Sequence, residues 1–273
     1  MKITWYGTAS IVLESGGERI LFDPFVQLRG GEHIFPPDTF AQEKHIFITH
    51  GHVDHLLSVP DIQKISGADI YCTDRPADTL EHYGGRYGQM IRITPGDRIS
   101  IGGIQVTVLP GKHISFDWRL IVGVLSRPQT YLQLRNSLFL AKMHHRFPEN
   151  GEIVIYQIEA EGKMLLLMGS LGLSDGVDYP RGADLLILPF QGRSRLSEAA
   201  LPVIEKLNPK SVLLDHFDDA FPPISSSIST VEFVKRMAEI HPDHKIIIPL
   251  AGIPINITAS PSSLKNRIPP KNV

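Results

Sequence analysis

The 273-residue sequence predicts an α/β protein. Short runs rich in β-branched and aromatic residues recur along the chain, and in the second half stretches with apolar residues at helical spacing separate them. A further observation concerns where the chemically active side chains fall. His50-Gly51-His52-Val53-Asp54-His55 directly follows the apolar run Ile46-Phe47-Ile48-Thr49, so four side chains able to bind a metal stand at the end of a buried strand.

Taken in order, residues 2–6, 10–15, 19–22, 45–49, 70–72 and 104–109 read as strands, and 75–82 as a short helix opened by Pro76. Residues 152–160 and 163–168 then read as a hairpin turning at Glu161-Gly162, with further strands at 184–188, 211–214 and 245–249. Residues 197–207 and 230–240 read as helices, the first capped by Ser197 with Glu198 in its opening turn, the second with Val231, Val234, Met237 and Ala238 on one side. Residues 114–150 show no clear period and are expected as a lid-like insertion within one domain spanning 1–273. The Pro/Ser-rich stretch 261–273 reads as irregular.

Composition narrows the class. Hydrophobic residues make up 42% of the chain, enough for a large core, and the formal net charge of −2 leaves no basic footprint for nucleic acid or an anionic membrane. Cys72 is the single cysteine; within the strand-like run Ala68-Asp69-Ile70-Tyr71-Cys72 it reads as a buried, inert thiol suited to a reducing cytoplasm. No leader-like segment opens the chain, and no apolar run approaches the roughly 20 residues that span a bilayer. The expected partner is a small-molecule substrate; the oligomeric state is left open.

The histidine loop reads as a two-sided cradle, with two imidazoles on one side and a carboxylate with a third imidazole on the other. A structural zinc module draws on cysteine thiolates, so a nitrogen and oxygen donor set with open coordination positions fits this chain better. The bland reading is an exposed loop holding histidines by chance.

The order His-x-His-x-Asp-His resembles the signature of the metallo-β-lactamase superfamily. Residues 1–10, 11–14 and 19–24 are similar to the first strands of a stand-alone hydrolase branch that includes ascorbate-6-phosphate lactonases and N-acyl-phosphatidylethanolamine phospholipase D. Leu109-Pro110-Gly111-Lys112-His113 matches the family's next ligand after a Pro-Gly turn, and His216-Phe217-Asp218-Asp219 resembles a His-Trp-Asp-Asp subgroup pattern. The resemblance implies a four-layer αββα sandwich, with His50, His52 and His113 holding one metal ion and Asp54, His55 and His216 a second. It implies one or two zinc ions, although manganese or iron suits the same donors. The implied reaction is hydrolysis of an ester-like bond, a lactone or a phosphodiester, by hydroxide held on the metal, with Asp54 also orienting the attacking water. Two other classes stand beside it: a non-catalytic or weakly active metal-binding protein, and a di-iron oxidoreductase.

One position departs from the family pattern. Ser170, in Met168-Gly169-Ser170-Leu171-Gly172, stands where a bridging aspartate is usual. Asp54 is then the lone anionic ligand, so a second ion is expected to bind more weakly unless Asp175, Asp215, Asp218 or Asp219 supplies charge. Ser170 itself can donate a hydrogen bond to the nucleophile but brings no charge. Around the cradle, Trp118, Phe116, Tyr131, Phe139 and Phe147 are candidates to line a lid or pocket, with ordinary packing as the alternative. Arg193 and Arg195 are candidates to hold a substrate phosphate or carboxylate, with a solvated loop as the alternative. His144 and His145 read as surface or lid residues, and Asp23 and Asp215 as carboxylates that orient ligand imidazoles.

Overall fold

In a computed structural model of the chain, residues 1–83, 88–114, 122, 126, 134–147, 151–222 and 224–257 are described. Among them the strands are β1 (Lys2–Trp5), β2 (Ile11–Ser15), β3 (Glu18–Phe22), β4 (His45–Phe47), β5 (Asp69–Cys72), β6 (Met90–Arg92), β7 (Arg98–Ile101), β8 (Ile104–Pro110), β9 (Val154–Ala160), β10 (Lys163–Met168), β11 (Leu185–Pro189), β12 (Ser211–Asp215), β13 (Lys245–Ile247) and β14 (Pro254–Asn256). The helices are α1 (Val53–Leu56), α2 (Val59–Ser66), α3 (Asp74–Tyr83), α4 (Leu134–Arg146), α5 (Leu196–Leu207) and α6 (Val231–Ile240).

The strands form two seven-stranded sheets, ordered β14-β1-β2-β3-β4-β5-β6 and β13-β12-β11-β10-β9-β8-β7. Each begins with antiparallel hairpins and ends in parallel strands; helices connect β4 to β5, β5 to β6, β11 to β12 and β12 to β13. The hairpin turns lie where two successive residues adopt positive φ, Gly16-Gly17 at 60° and 90° and Glu161-Gly162 at 52° and 71°, the backbone that a tight two-residue turn requires.

Alternation within the strands builds the layers. Leu13, Ile20 and Phe22 face Tyr156, Ile158, Leu165 and Leu167 in a core between the sheets, while Val12, Leu21, Ile46 and Ile70 point away and pack on Val59, Ile62, Ala77 and Leu80. The second sheet does the same with Leu166, Leu186, Leu188 and Leu214 against Leu201, Ile204, Phe233 and Met237. Helix, sheet, sheet, helix is the sandwich expected. β11 is buried at every residue, as a parallel strand covered on both faces must be.

The structure adds elements that sequence period did not single out. β6, β7 and β14 are short, partly exposed edge-side strands, and β14 starts with a proline, so none presents a long buried run. Helix α5 begins at Leu196 with Arg195 as its cap residue and no side-chain cap, so Ser197 lies inside the first turn and does not cap it. Residues 258–273 lie outside the described residues. Among those described, no helix is long and apolar enough to cross a membrane.

Candidate metal centre

Three separate chain segments bring the expected ligands together. β4 ends at Phe47 and delivers His50; His52 is the N-cap residue of α1, and Asp54 and His55 occupy its first turn. His113 follows β8, and His216 follows β12. The ligand-type atoms of His50, His52 and His113 lie within 4.8 Å of one another, as do those of Asp54, His55 and His216.

The first cluster is packed through its rings. His50 Nε2 and His52 Nδ1 are 3.1 Å apart, and the His52 and His113 rings meet edge-on with centroids 4.6 Å apart. His50 is buried; His52 and His113 are half-buried. Burial, reinforced by His55 and His52 nearby, holds the His50 imidazole well below the usual histidine range, so it is neutral and ready to donate a lone pair.

The second cluster is bound by charge. His216 Nε2 lies 2.9 Å from Asp54 Oδ2, and His55 Nε2 lies 3.9 Å from the same oxygen. Burial would raise Asp54, but His55 and the hydrogen bond to His216 prevail and hold its carboxyl well below the usual carboxylate range. Burial would lower His55 and His216; Asp23 and Asp54 outweigh it for the first, and Asp54 for the second, so both are raised.

Behind the ligands stands a frame of backbone and buried side chains. Asp23 Oδ1 accepts the Thr49 amide at 2.8 Å and Oδ2 the Thr49 hydroxyl at 2.6 Å, while Oδ2 also lies 3.0 Å from His55 Nδ1. The expected orienting role thus has geometry behind it for Asp23. Asp215 is buried, with Oδ1 unpartnered and its carboxyl pushed up by burial; it makes no hydrogen bond to an imidazole among the described residues. Thr49 was not singled out from sequence, and no motif marks it. It holds both Asp23 and, at 3.0 Å, His50 Nδ1. Gly169 makes that contact feasible: a Cβ there would sit 2.1 Å from Thr49 Oγ1.

His216 has a left-handed φ of 59°, and its amide donates to the Thr8 carbonyl at 2.8 Å. The Thr8 amide in turn donates to both Asp218 oxygens at 3.0 Å, and Gln27 donates to the same carboxylate. Asp218 therefore serves the backbone under His216. Asp175 is exposed and paired with Lys112 at 2.9 Å, and Asp219 accepts the Ser225 hydroxyl. None of Asp175, Asp215, Asp218 and Asp219 lines the cavity, where Asp54 is the one carboxylate among the described residues. Ser170 is at the cavity, and its Oγ accepts the Ile114 amide at 3.0 Å, fixing the chain next to His113.

A cavity of about 730 Å³ opens over both clusters. Its wall takes Ser137 and Leu140 from α4, the segment Gln191–Ser194, and the strap around Ile224–Ile228. Phe139 is exposed and Phe147 packs in the outer core, stacked on Tyr83, so neither lines the cavity as the lid reading expected. Phe116, Trp118, Tyr131 and the side chains of His144 and His145 lie outside the described residues. The two arginines part company: Arg193 lines the cavity, whereas Arg195 is exposed, pairs with Glu198 at 3.4 Å and does not.

A fold with two stacked mixed sheets and six side chains able to bind a metal gathered beside them has known relatives. Residues 18–217 match the beta-lactamase superfamily domain, and the chain belongs to that family, with the metallo-β-lactamase sandwich as its fold. A UPF0173 metal-dependent hydrolase of Ligilactobacillus salivarius is 25% identical over 248 residues, covering 88% of this chain and 94% of that protein. A UPF0173 metal-dependent hydrolase of Chelativorans sp. is 35% identical over 123 residues, 42% of this chain and 49% of the relative; the match spans about half the length of that and other curated relatives. Among solved structures, Igni18, a metallo hydrolase from Ignicoccus hospitalis, is similar in fold, with a TM-score of 0.64 at 21% identity over 93% of this chain and 97% of that one.

Proposed function

We propose that the protein is a metal-dependent hydrolase acting on an ester-like bond, a lactone or a phosphodiester, in a small molecule. The observation that carries the reading is the convergence of six nitrogen and oxygen donors from three chain segments into two clusters at the floor of one cavity. The donor set fits a divalent ion: five imidazoles, His50 among them held neutral, with one carboxylate, no thiolate, and a cavity at the open side. His50, His52 and His113 would hold one ion and Asp54, His55 and His216 another, with zinc the first candidate. A divalent ion in such a site polarises a substrate oxygen and makes water a stronger acid.

The chain's own residues supply the rest. Asp54 is held ionised and is the sole carboxylate among the described cavity residues, so it is the group able to orient water by accepting its hydrogen bond. Ser170 uses its oxygen on the Ile114 amide and leaves its hydroxyl hydrogen for a group in the cavity. The apolar wall lowers the local dielectric and strengthens each of these contacts. The UPF0173 relatives carry the name of metal-dependent hydrolases, which agrees with this reading.

The test is turnover of a panel of lactones and phosphodiesters by protein of measured metal content. Activity that tracks metal content and vanishes on chelation supports the reading. Full metal loading with no turnover across the panel favours a metal-binding protein without catalysis.

A further inference from the structure

The segment after β11 is built to bring a single cation into the cavity. Phe190 is buried against Phe233, ring centroids 4.9 Å apart, and its amide donates to the Asp215 carbonyl at 2.9 Å. Gly192, buried and at φ 92°, then turns the chain through a conformation that side chains rarely adopt. Arg193 follows at the cavity wall, and α5 begins three residues later. Arg193 is the one lysine or arginine among the described residues that line the cavity.

Among the described residues its guanidinium has no hydrogen-bond or ion-pair partner. Arg193 makes no ion pair among the described residues, and its Nε is shut off from solvent with no hydrogen-bond acceptor. A guanidinium does not relieve that by losing its proton, and a buried donor left unmade is costly. The neighbouring Arg195 shows the ordinary alternative, exposed and paired with Glu198. Around Arg193 the wall is largely apolar, through Val53, Ile114, Leu140, Leu171, Leu196 and Ile228.

We infer that Arg193 is a specificity-determining anion receptor: the substrate carries an oxyanion, carboxylate or phosphate, on an apolar body, and the oxyanion docks on Arg193 while the reacting bond lies at the histidine clusters. A planar or tetrahedral oxyanion gives the guanidinium fork the acceptors it lacks, and the apolar body covers the wall. This deepens the hydrolase reading and rests on it for the position of the reacting bond.

The experiment compares octanesulfonate, an oxyanion that binds metals weakly, with octanol, the same chain without charge. Calorimetric titrations use the metal-loaded wild type, Arg193→Gln, Arg193→Lys and Arg195→Gln, each checked for an unchanged melting temperature. Expected is a loss of octanesulfonate affinity of roughly 10- to 100-fold in Arg193→Gln, partial retention in Arg193→Lys, and no change for octanol or for Arg195→Gln. Equal loss for octanol and octanesulfonate in Arg193→Gln, or no loss at all, overturns the inference. A parallel arm measures hydrolysis of p-nitrophenyl butyrate against p-nitrophenyl hemisuccinate; a preference for the anionic ester that Arg193→Gln removes supports a carboxylate, and octyl phosphate outcompeting octanoate supports a phosphate. Arg193-dependent binding without turnover of these esters or of any lactone or phosphodiester in the panel would sink the hydrolase reading and leave the anion receptor standing.

Discussion

The two clusters share the loop 50–55 and yet are built on different principles. The first gathers three imidazoles, two of them half-buried, with no carboxylate in the set, and His50 is kept neutral by burial. The second is buried throughout and paired internally, Asp54 to His216 at 2.9 Å, with His55 held between Asp54 and Asp23. Readiness to accept a cation and precision of placement are thus divided. The first set packs imidazole against imidazole around a neutral His50, whereas the second is positioned by protons that a cation must displace.

The largest effect expected is on the first cluster. His52→Ala removes one of the three imidazoles of that set, which nothing else in it replaces, so turnover and most of the bound metal should be lost, read by elemental analysis and the activity panel. Retained metal and turnover would place the chemistry elsewhere. Asp23→Asn attacks the second cluster from behind: it removes the charge beside His55 Nδ1 while keeping a side chain of the same shape for Thr49. The second ion should bind about 10- to 100-fold more weakly, the usual cost of losing a carboxylate behind a metal-bound imidazole, with the first ion unaffected. An equal loss at both clusters would mean that Asp23 acts through Thr49 and the backbone.

Sequence and structure divide along the same line. The loop 50–55 was legible because its donor side chains are crowded into six residues after an apolar strand, and His113 and His216 through the resemblance of Pro110-Gly111-Lys112-His113 and His216-Phe217-Asp218-Asp219 to the family's pattern. What holds them was mostly not legible. Thr49, Thr8 and Asp218 act through contacts that cross up to 210 positions of chain, and no local period encodes such a pairing. The helices were found where an apolar face repeats, as in α5 and α6, while α1, at four residues, is too short to show one. Arg193 and Arg195 looked alike in sequence; in the fold Arg193 lines the cavity while Arg195 is exposed and paired with Glu198.

Ser170→Asp tests whether the second cluster is short of charge. Asp54 is the lone carboxylate among the described residues at the cavity: Asp175, Asp218 and Asp219 are paired elsewhere, and Asp215 is pushed toward its neutral form. An aspartate at 170 can still accept the Ile114 amide and adds a negative charge beside the clusters. The second ion should tighten by about 1–3 kcal/mol, measured by calorimetric metal titration. Two equally tight sites in the wild type, unmoved by the substitution, would refute the charge argument.

The smallest effect expected is a difference in proton release. In the metal-free protein His55 and His216 are raised, so each keeps its proton to higher pH than an ordinary histidine, while His50 is lowered and has already lost its own. A cation binds the neutral imidazole, so filling the second cluster expels the protons that His55 and His216 keep, whereas His50 in the first is already neutral. Affinity at the second cluster should therefore rise with pH until the raised values are passed and then level off, by roughly tenfold per pH unit for each proton displaced. The first cluster should be flatter over the same range. Titrations in buffers of different ionisation enthalpy count the protons directly. Equal counts at the two clusters would show that the pairing of Asp54 with His216 does not distinguish them, and the contrast between a ready cluster and a paired one would fail.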